Sequence, residues 1–224
     1  DVALHIGTLL ALIIFFFKDW ILLIKAGYKK AVKKEDSNEG RIFWYLVAAT
    51  IPAGILSIIL DKISDNIIGD DINLNMVIIA ITLIIMGIIL YIVDKKSKSE
   101  VSYEKISLKQ SILVGASQAI AAAFPGVSRS GITMTIARAL KIDRESAAKF
   151  SFLLATPITL AAVIFDMSNF VFDLALVLGI LASFLVGVIV IKFLLNYLKK
   201  GSFKVFAIYR IIFGIIILGI YFLR

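Results

Sequence analysis

The chain has 224 residues, of which 60% are hydrophobic and 18% are charged, and its mean hydropathy is +0.98. A soluble domain of this size cannot bury so much apolar surface, so the composition indicates an all-α, polytopic membrane helical bundle forming one integral membrane domain over residues 1–224. The absence of cysteine excludes disulfides, Cys-ligated zinc and thiol nucleophiles. The net charge of +8 does not indicate a nucleic-acid partner, because the lysines fall in short loops beside apolar segments, where anionic membrane lipids are the expected contacts.

Apolar segments long enough to cross a bilayer recur along the chain. About 20 apolar residues span about 30 Å of hydrocarbon. The expected crossings are Val2 to about Ile24, Ile42–Leu60, Leu74–Val93, Phe150–Phe165, Leu174 to about Leu195, and Phe203–Leu223. Lys18 and Asp19 interrupt the first crossing, so we expect that helix to stop near Phe17 and to continue along the membrane interface.

The loops between these segments alternate in charge. Lysine-rich loops follow the first, third and fifth crossings, at 25–41, 95–109 and 192–204, and are predicted to be cytoplasmic. The loop at 61–71 is acidic and the loop from Asp166 to Asp173 has no Lys or Arg, so both are predicted to be external.

The segment from Ser111 to Leu140 has basic flanks on both sides. A helix over Ile112–Ala123 would be roughly 18 Å long, which is too short to cross. A crossing here would also reverse the side of every later loop. The consistent solution is a re-entrant hairpin, in which one half-helix enters, the chain turns at FPGVSRSG, and Ile132–Leu140 returns. Irregular backbone at membrane depth must be buried in protein or line a polar cavity, so the turn should face a site.

The turn residues suit a site for an anion. Pro125 ends the first half-helix, and Gly126 and Gly131 allow a tight turn with close approach of a ligand. Ser130 is expected to cap the returning half-helix, whose N-terminal N–H groups attract anions.

Arg129 is costly near mid-bilayer without a partner, and no carboxylate lies between Lys105 and Ile142. A phosphate held bidentately is the natural partner. Further donors are expected around it from Ser128, Ser130, Thr133, Thr135 and Gln118. The competing interpretation is helix packing by small and polar residues.

Other polar residues are weaker candidates. His5, the single histidine, is expected to be a packing residue, and Arg210 a structural one, inside the last crossing. The run from Lys29 to Lys34 is expected to be a basic loop facing lipid.

Three segments of the chain resemble one family. They are GASQAIAAAFPGVSRSGITMTIARAL at 115–140, DVALHIGTLLALIIFF at the start and FAIYRIIFGIIILG at 206–219. The chain is similar over essentially its whole length to the bacterial undecaprenyl-diphosphatases, also called bacitracin-resistance proteins. The resemblance implies an enzyme that removes the terminal phosphate of undecaprenyl diphosphate to recycle the carrier lipid for cell-wall synthesis, in the bacterial cytoplasmic membrane.

The resemblance also implies an inverted-repeat architecture with two re-entrant hairpins meeting inside the bilayer. The resemblance implies that the catalytic residues are Arg129, which would bind the diphosphate, and Ser128. The substrate-binding residues that it implies are Gln118, Pro125, Gly126, Ser130, Gly131 and Thr133. A prenyl diphosphate lipid is the implied partner, and a homodimer is left open.

The chain departs from the family pattern at its start. Family members carry an earlier hairpin with paired glutamates and a Pro-x-Ser-Ser-x-Gly-His stretch, which supplies the proposed base, nucleophile and metal ligands. The present sequence starts after that stretch, so no metal ligand is assigned in it. Any divalent cation, Mg²⁺ or Ca²⁺, is expected to bind in that earlier hairpin, and the isolated chain is expected to be inactive.

Three rival functions follow from the same residues. A transporter or flippase for a lipid or small molecule also uses broken helices and an anion site. A lipid phosphatase of the histidine type needs at least two histidines, which this sequence does not supply. A purely structural subunit would give Arg129 no evident purpose.

Overall fold

The structure is a computed structural model that describes residues 2–69, 71–166 and 173–223. These residues fold almost entirely as α-helices, with a single 3₁₀ turn at Tyr103–Lys105. The helices are α1 (Val2–Phe15), α2 (Phe17–Lys33), α3 (Asn38–Ile68), α4 (Ile72–Lys96), α5 (Leu108–Ala116), α6 (Gln118–Ala123), α7 (Arg129–Ala139), α8 (Arg144–Asp166), α9 (Leu174–Leu198) and α10 (Lys204–Leu223).

Among the described residues, five helices are long and apolar enough to cross a bilayer, namely α3, α4, α8, α9 and α10. They correspond to five of the six predicted crossings. The first predicted crossing is a bent pair, because α1 ends at Phe15 and α2 starts at Phe17 at an angle of 73°. This break confirms the expectation that the first helix stops near Phe17, and the course of α2 along the membrane interface stays a prediction.

Helix α3 is longer than the sequence predicts. It starts at Asn38 and continues past Leu60, so Asp61 is helical and its assignment to a loop was wrong. Nothing in this stretch breaks a helix until Gly69, whose φ of 60° is the left-handed conformation that glycine adopts readily at a helix end. Asp70 and most of the loop after Asp166 lie outside the described residues, so the predicted external side of these loops stays a prediction.

The re-entrant hairpin is present as α5, α6 and α7. Gln110, in the first turn of α5, donates a hydrogen bond from Nε2 to the carbonyl of Leu140, just after α7, at 3.0 Å. The start and the end of the segment therefore lie at the same level, as a hairpin requires. The returning helix begins at Arg129, three residues earlier than the predicted Ile132. The inverted repeat with a second hairpin stays a prediction.

The base of the hairpin is tied to the loop before it. Val101 forms an isolated parallel bridge with Ile142, and the N–H of Asp143 donates to the carbonyl of Val101 at 2.9 Å. Gln110 also completes a capping box with Ser107, which starts α5. These contacts fix where α5 enters and where α7 leaves, so the position of the tip follows from rigid helices.

Asp94, at the end of α4, is a buried carboxylate that joins several of the basic loops. Its Oδ1 accepts hydrogen bonds from Nε of Arg138 at 2.9 Å and from Nε of Arg144 at 2.8 Å. Its Oδ2 accepts one from the N–H of Phe203 at 3.1 Å. The fully buried Arg138 also donates to the carbonyl of Ser97 at 2.8 Å. One carboxylate therefore holds together α4, the α7–α8 connection and the start of α10.

The first basic segment was wrongly predicted as a loop over Lys29–Lys34, because α2 continues as a helix to Lys33, and α2 lies at the same end of the bundle. Lys149 donates to Asp19 of α2 at 2.6 Å, and its Nζ lies 4.7 Å from the centre of the Tyr103 ring. Burial of the Tyr103 hydroxyl raises the pKa of this phenol, which keeps it neutral. The loops predicted to be cytoplasmic thus share one end of the molecule, as the positive-inside pattern requires.

We expect Asp94→Asn to destabilise the protein strongly. The change leaves Arg138 and Arg144 without their charge partner, and removing one partner of a buried ion pair typically costs about 3–5 kcal/mol. For a chain of this size that corresponds to a fall in melting temperature of roughly 6–20 °C in detergent.

Asp36→Asn is the matched control. Asp36 pairs with Lys30 on the exposed surface, where solvent screens the pair. The melting temperature of the Asp36→Asn protein should therefore barely change. Equal shifts for the two variants would contradict the role assigned to Asp94.

Candidate functional site

The tip of the hairpin is a short turn between α6 and α7. Helix α6 ends with the N–H of Phe124 donating to the carbonyl of Ile120 at 3.1 Å, and Pro125 has no N–H with which to continue. Gly126 follows with φ of +87°, a conformation that side chains disfavour. The proline and the glycine therefore reverse the chain, as their positions predict.

The turn is packed closely against α4. A Cβ atom built on Gly126 would lie 2.3 Å from Oγ1 of Thr82 and 2.8 Å from the Cα atom of Ile79. The Thr82 hydroxyl has three backbone carbonyls within hydrogen-bonding distance and one proton to donate. The carbonyl of Pro125 is the nearest of the three, at 2.7 Å from Oγ1. Only glycine fits between the turn and α4, so the tip has one position relative to the bundle.

The cap of α7 is Ser128. Its backbone is extended and its Oγ accepts a hydrogen bond from the N–H of Gly131 at 3.1 Å. The expectation that Ser130 is the cap was wrong, because the helix starts two residues earlier than that assignment requires. Since the Ser128 oxygen acts as an acceptor towards Gly131, its own proton remains available to a ligand. The N–H groups of Arg129 and Ser130, in the first turn of α7, have no acceptor inside the helix.

An open cavity of about 540 Å³ lies beside the tip, between α1, α3, α6 and α8. Arg129 and Gln118 both line it, so the structure brings together two residues that the sequence predicted as partners. Gln118 is 3% exposed, and its Nε2 has no hydrogen-bond partner among the described residues. A buried amide donor without a partner is costly, which makes it a candidate contact for a polar ligand.

Arg129 has a free guanidinium within the described part of the chain. It is an exposed residue, and its side chain makes no hydrogen bond or ion pair with any described residue. Asp61 lines the same cavity but does not approach Arg129 closely enough to form an ion pair. The side chain thus lines the cavity, and no acid among the described residues neutralises it.

Arg210 of α10 is a second cation at the tip, which sequence reasoning treated as structural. It is 7% exposed and donates from one terminal nitrogen to the carbonyl of Gly126 at 3.2 Å. Its other terminal nitrogen would lie 2.4 Å from a Cβ built on Gly131, so the guanidinium covers the first turn of α7. Its Nε has no partner among the described residues. Only an unpaired arginine in the middle of an apolar segment could have indicated this role.

The two predicted threonines lie behind the tip. Thr133 is 1% exposed, and its Oγ1 lies 2.5 Å from Oγ of Ser151 on α8. Thr135 is equally buried and donates to the carbonyl of Gly131 at 2.6 Å. Both hydroxyls are therefore engaged inside the protein, where they fix α7 rather than line the cavity.

Two further residues of the cavity come from outside the predicted motif. His5 of α1 and Asp61 of α3 both line it. Within residues 2–69, 71–166 and 173–223, no three His, Asp or Glu side chains are grouped so that they could hold a metal ion. The divalent cation expected from the resemblance therefore stays a prediction.

The fold and the tip define a multi-pass helical membrane protein in which the tip of a re-entrant hairpin presents one arginine and a helix N-terminus, and a second arginine reaches the tip from α10. Comparison with known proteins identifies the family. The chain belongs to the family described as bacitracin resistance protein BacA, whose model matches residues 1–216.

Similar proteins share both the sequence and most of its length. The undecaprenyl-diphosphatase of Pelotomaculum thermopropionicum is 42% identical over 97% of this chain and 80% of its own length. That of Caldicellulosiruptor bescii is 40% identical over the whole chain and 83% of its own length. That of Gemmatimonas aurantiaca is 42% identical over 97% of this chain and 81% of its own length. The family resemblance read from the sequence is confirmed.

We expect Gly126→Ala to destabilise the tip of the hairpin. The added methyl group would meet Oγ1 of Thr82 and the backbone of Ile79, and its positive φ is strained for alanine. The melting temperature in detergent should fall by several degrees, since strain of this kind costs about 1–3 kcal/mol.

Gly219→Ala on α10 is the control, because a Cβ built there has nothing within 4 Å. It should leave the melting temperature unchanged or raise it slightly, since alanine is the better helix former. A Gly126→Ala protein as stable as the Gly219→Ala protein would contradict the close packing of the turn.

Proposed function

We propose that this protein is a membrane phosphatase that hydrolyses undecaprenyl diphosphate to undecaprenyl phosphate and inorganic phosphate. The observation that carries the proposal is the tip of the hairpin, where Arg129 and Arg210 flank the N-terminus of α7 without an ion-pair partner among the described residues. Two guanidinium groups and a helix N-terminus are suited to several negative charges on one ligand, as a diphosphate provides.

The relatives support this substrate. The similar proteins from Pelotomaculum, Caldicellulosiruptor and Gemmatimonas are each named undecaprenyl-diphosphatase. The long apolar helices suit a substrate whose prenyl chain stays in the bilayer while its head group enters the protein. A transporter with the same anion site is not favoured, since the family and these relatives are named for bacitracin resistance and phosphatase activity.

In the proposed reaction, water attacks the terminal phosphorus. The bond between that phosphorus and the bridging oxygen breaks, and undecaprenyl phosphate leaves with the bridging oxygen. Negative charge spreads over the equatorial oxygens of the transferred phosphoryl group, where donors held in place contribute most. Arg129 is the group assigned to those oxygens, with the Ser128 hydroxyl and the first N–H groups of α7 beside it.

Arg210 is assigned to the same diphosphate from the opposite side of the turn. Its contact with the Gly126 carbonyl uses only one of its five N–H donors, which leaves the others for phosphate oxygens. Gln118 is assigned to a polar contact within the cavity. No described residue is assigned as the general base that would activate the attacking water. The metal ion, the homodimer and the location in the bacterial cytoplasmic membrane remain proposals from the family resemblance.

Arg129→Ala in the intact protein should lower phosphate release from undecaprenyl diphosphate by about 100-fold to 1,000-fold, the usual loss for one such donor. Arg129→Lys keeps the charge but loses the bidentate fork, so its loss should be smaller. Release is measured on purified protein in detergent with a phosphate assay.

Arg41→Ala is the control for this series, because Arg41 is an exposed arginine in the first turn of α3, away from the tip of the hairpin. Its activity should stay near that of the unchanged protein. Near-normal activity of Arg129→Ala would refute the assignment, and so would an equal loss in Arg41→Ala.

Arg210→Met tests the second cation. It removes the charge, and we expect phosphate release to fall by about tenfold to 100-fold, since a charge-assisted contact to the transferred group is lost. The matched variant is Thr82→Val, which also removes one hydrogen bond to a carbonyl of the turn but no charge.

A purely structural Arg210 would make the two variants equal in activity. We expect instead that Arg210→Met loses much more activity than Thr82→Val at a comparable melting temperature. A loss in Arg210→Met no larger than that in Thr82→Val would return Arg210 to a packing role.

A further inference from the structure

Helix α2 runs across the end of the bundle rather than through it. It meets α1 at 73°, and α1 packs against the long apolar helices α8 and α9. If α1 follows the direction of its neighbours through the bilayer, α2 lies close to the plane of the membrane. Its ion pair from Asp19 to Lys149 places it at the end where the basic loops gather.

The surface of α2 is divided into three faces. At 3.6 residues per turn, five of its six large exposed apolar side chains fall in a sector about 80° wide, and the sixth, Leu22, lies on the neighbouring face among the lysines. We call this sector the apolar stripe, and it consists of Phe17, Ile21, Ile24, Tyr28 and Val32, all at least 39% exposed. The next sector, also about 80° wide, is the lysine stripe of exposed Lys18, Lys25, Lys29 and Lys33.

The third face fixes α2 to the protein. Leu23 is 2% exposed, and Gly27 lies so close to α3 that a Cβ built on it would be 2.2 Å from the ring of Phe43. Trp44 of α3 donates from its indole nitrogen to the carbonyl of Gly27 at 3.1 Å. The helix therefore cannot roll, and the apolar and lysine stripes keep fixed orientations relative to the bundle.

Most of the charge on the lysine stripe is uncompensated. Lys18, Lys25 and Lys33 form no ion pair with any described residue, and Lys29 pairs only with the exposed Glu35. The acid of the helix, Asp19, is already engaged by Lys149. A helix with one apolar side and an adjacent row of free cations is the pattern of an interfacial helix on an anionic membrane.

We propose that α2 lies in the membrane interface and binds the head groups of anionic phospholipids through its lysine stripe. The apolar stripe enters the boundary between head groups and acyl chains, and the lysines lie at the level of the lipid phosphates. This surface is separate from the diphosphate site, which lies at the opposite end of the hairpin.

Lipid is favoured over a second copy of this chain as the occupant. A symmetric contact between two apolar stripes would bring the two lysine stripes side by side, which like charges oppose. An anionic lipid surface instead complements the apolar stripe and the lysine stripe together. The chain also reaches α2 directly from α1, which already lies among the apolar helices.

The first test compares lipid preference. The intact protein is incubated in detergent with equal amounts of phosphatidylglycerol and phosphatidylcholine of the same chain length, and the lipids retained are counted by native mass spectrometry. The variant is K18Q/K25Q/K33Q. The control is K95Q/K96Q/K98Q, which removes three exposed lysines from another basic loop at the same end.

We expect the α2 variant to lose about tenfold or more of the preference for phosphatidylglycerol, and the control to lose much less. A loss in the α2 variant no larger than that in the control would overturn the proposal, because net charge alone would then explain it. The same spectra report oligomers. A dimer of the unchanged protein that dissociates in Tyr28→Ser would also overturn it, in favour of a second copy on the apolar stripe.

The second test locates the apolar stripe. The printed sequence has no cysteine, so single labels can be placed by Tyr28→Cys and, as a control in the following loop, Asp36→Cys. In vesicles of phosphatidylglycerol and phosphatidylcholine, a fluorescent label at 28 should be quenched by lipids that carry a nitroxide near the head group, and the label at 36 should not. Quenching at 28 no stronger than at 36 would overturn the interfacial position.

Discussion

The proposed site depends on two guanidinium groups that have no acid partner in the part of the chain that the structure describes. Arg129 has no partner in the described residues, and Arg210 contacts only a backbone carbonyl with one of its nitrogens. Positive charge inside an apolar bundle is costly unless a counter-charge arrives. Two such groups at one helix N-terminus raise that cost, because the helix dipole is also positive there. A multiply charged anion would neutralise the two guanidinium groups and the positive end of the helix dipole together, and this is the physical basis of the proposed diphosphate site.

The rest of the fold holds this unfavourable arrangement in place. At the base of the hairpin, Asp94 neutralises Arg138 and Arg144 and joins three segments of the chain. At the tip, Gly126 lets the turn reach α4, while Arg210 holds it from α10. Among the described residues, the arginines at the base are thus paired with a carboxylate and stabilise the fold, whereas those at the tip have no carboxylate partner and are the ones that we propose to bind the diphosphate.

Much of the architecture could be predicted from local signals. The apolar segments predicted the membrane crossings, and the basic flanks of residues 111–140 predicted the hairpin. Lys18 and Asp19 indicated the break between α1 and α2. Helix ends were less certain because they depend on single residues, as the extension of α3 to Gly69 demonstrates. In the site, Arg129 and Gln118 were placed together correctly, since both belong to one hairpin. The cap was misassigned to Ser130, because several serines stand in a row and only the backbone angles select Ser128.

The sequence by itself determined that this is a helical membrane protein with an arginine in a proline- and glycine-containing turn, because hydrophobicity, charge and turn chemistry are properties of neighbouring residues. Only the tertiary structure decided which distant side chains meet that turn. Arg210 is 81 residues beyond Arg129, and His5 and Asp61 come from two other helices. Their approach results from how α1, α3 and α10 pack around the hairpin, and no local pattern records packing between segments so far apart. The same packing turned Thr133 and Thr135 inward, although their spacing alone made them equal candidates with Ser128.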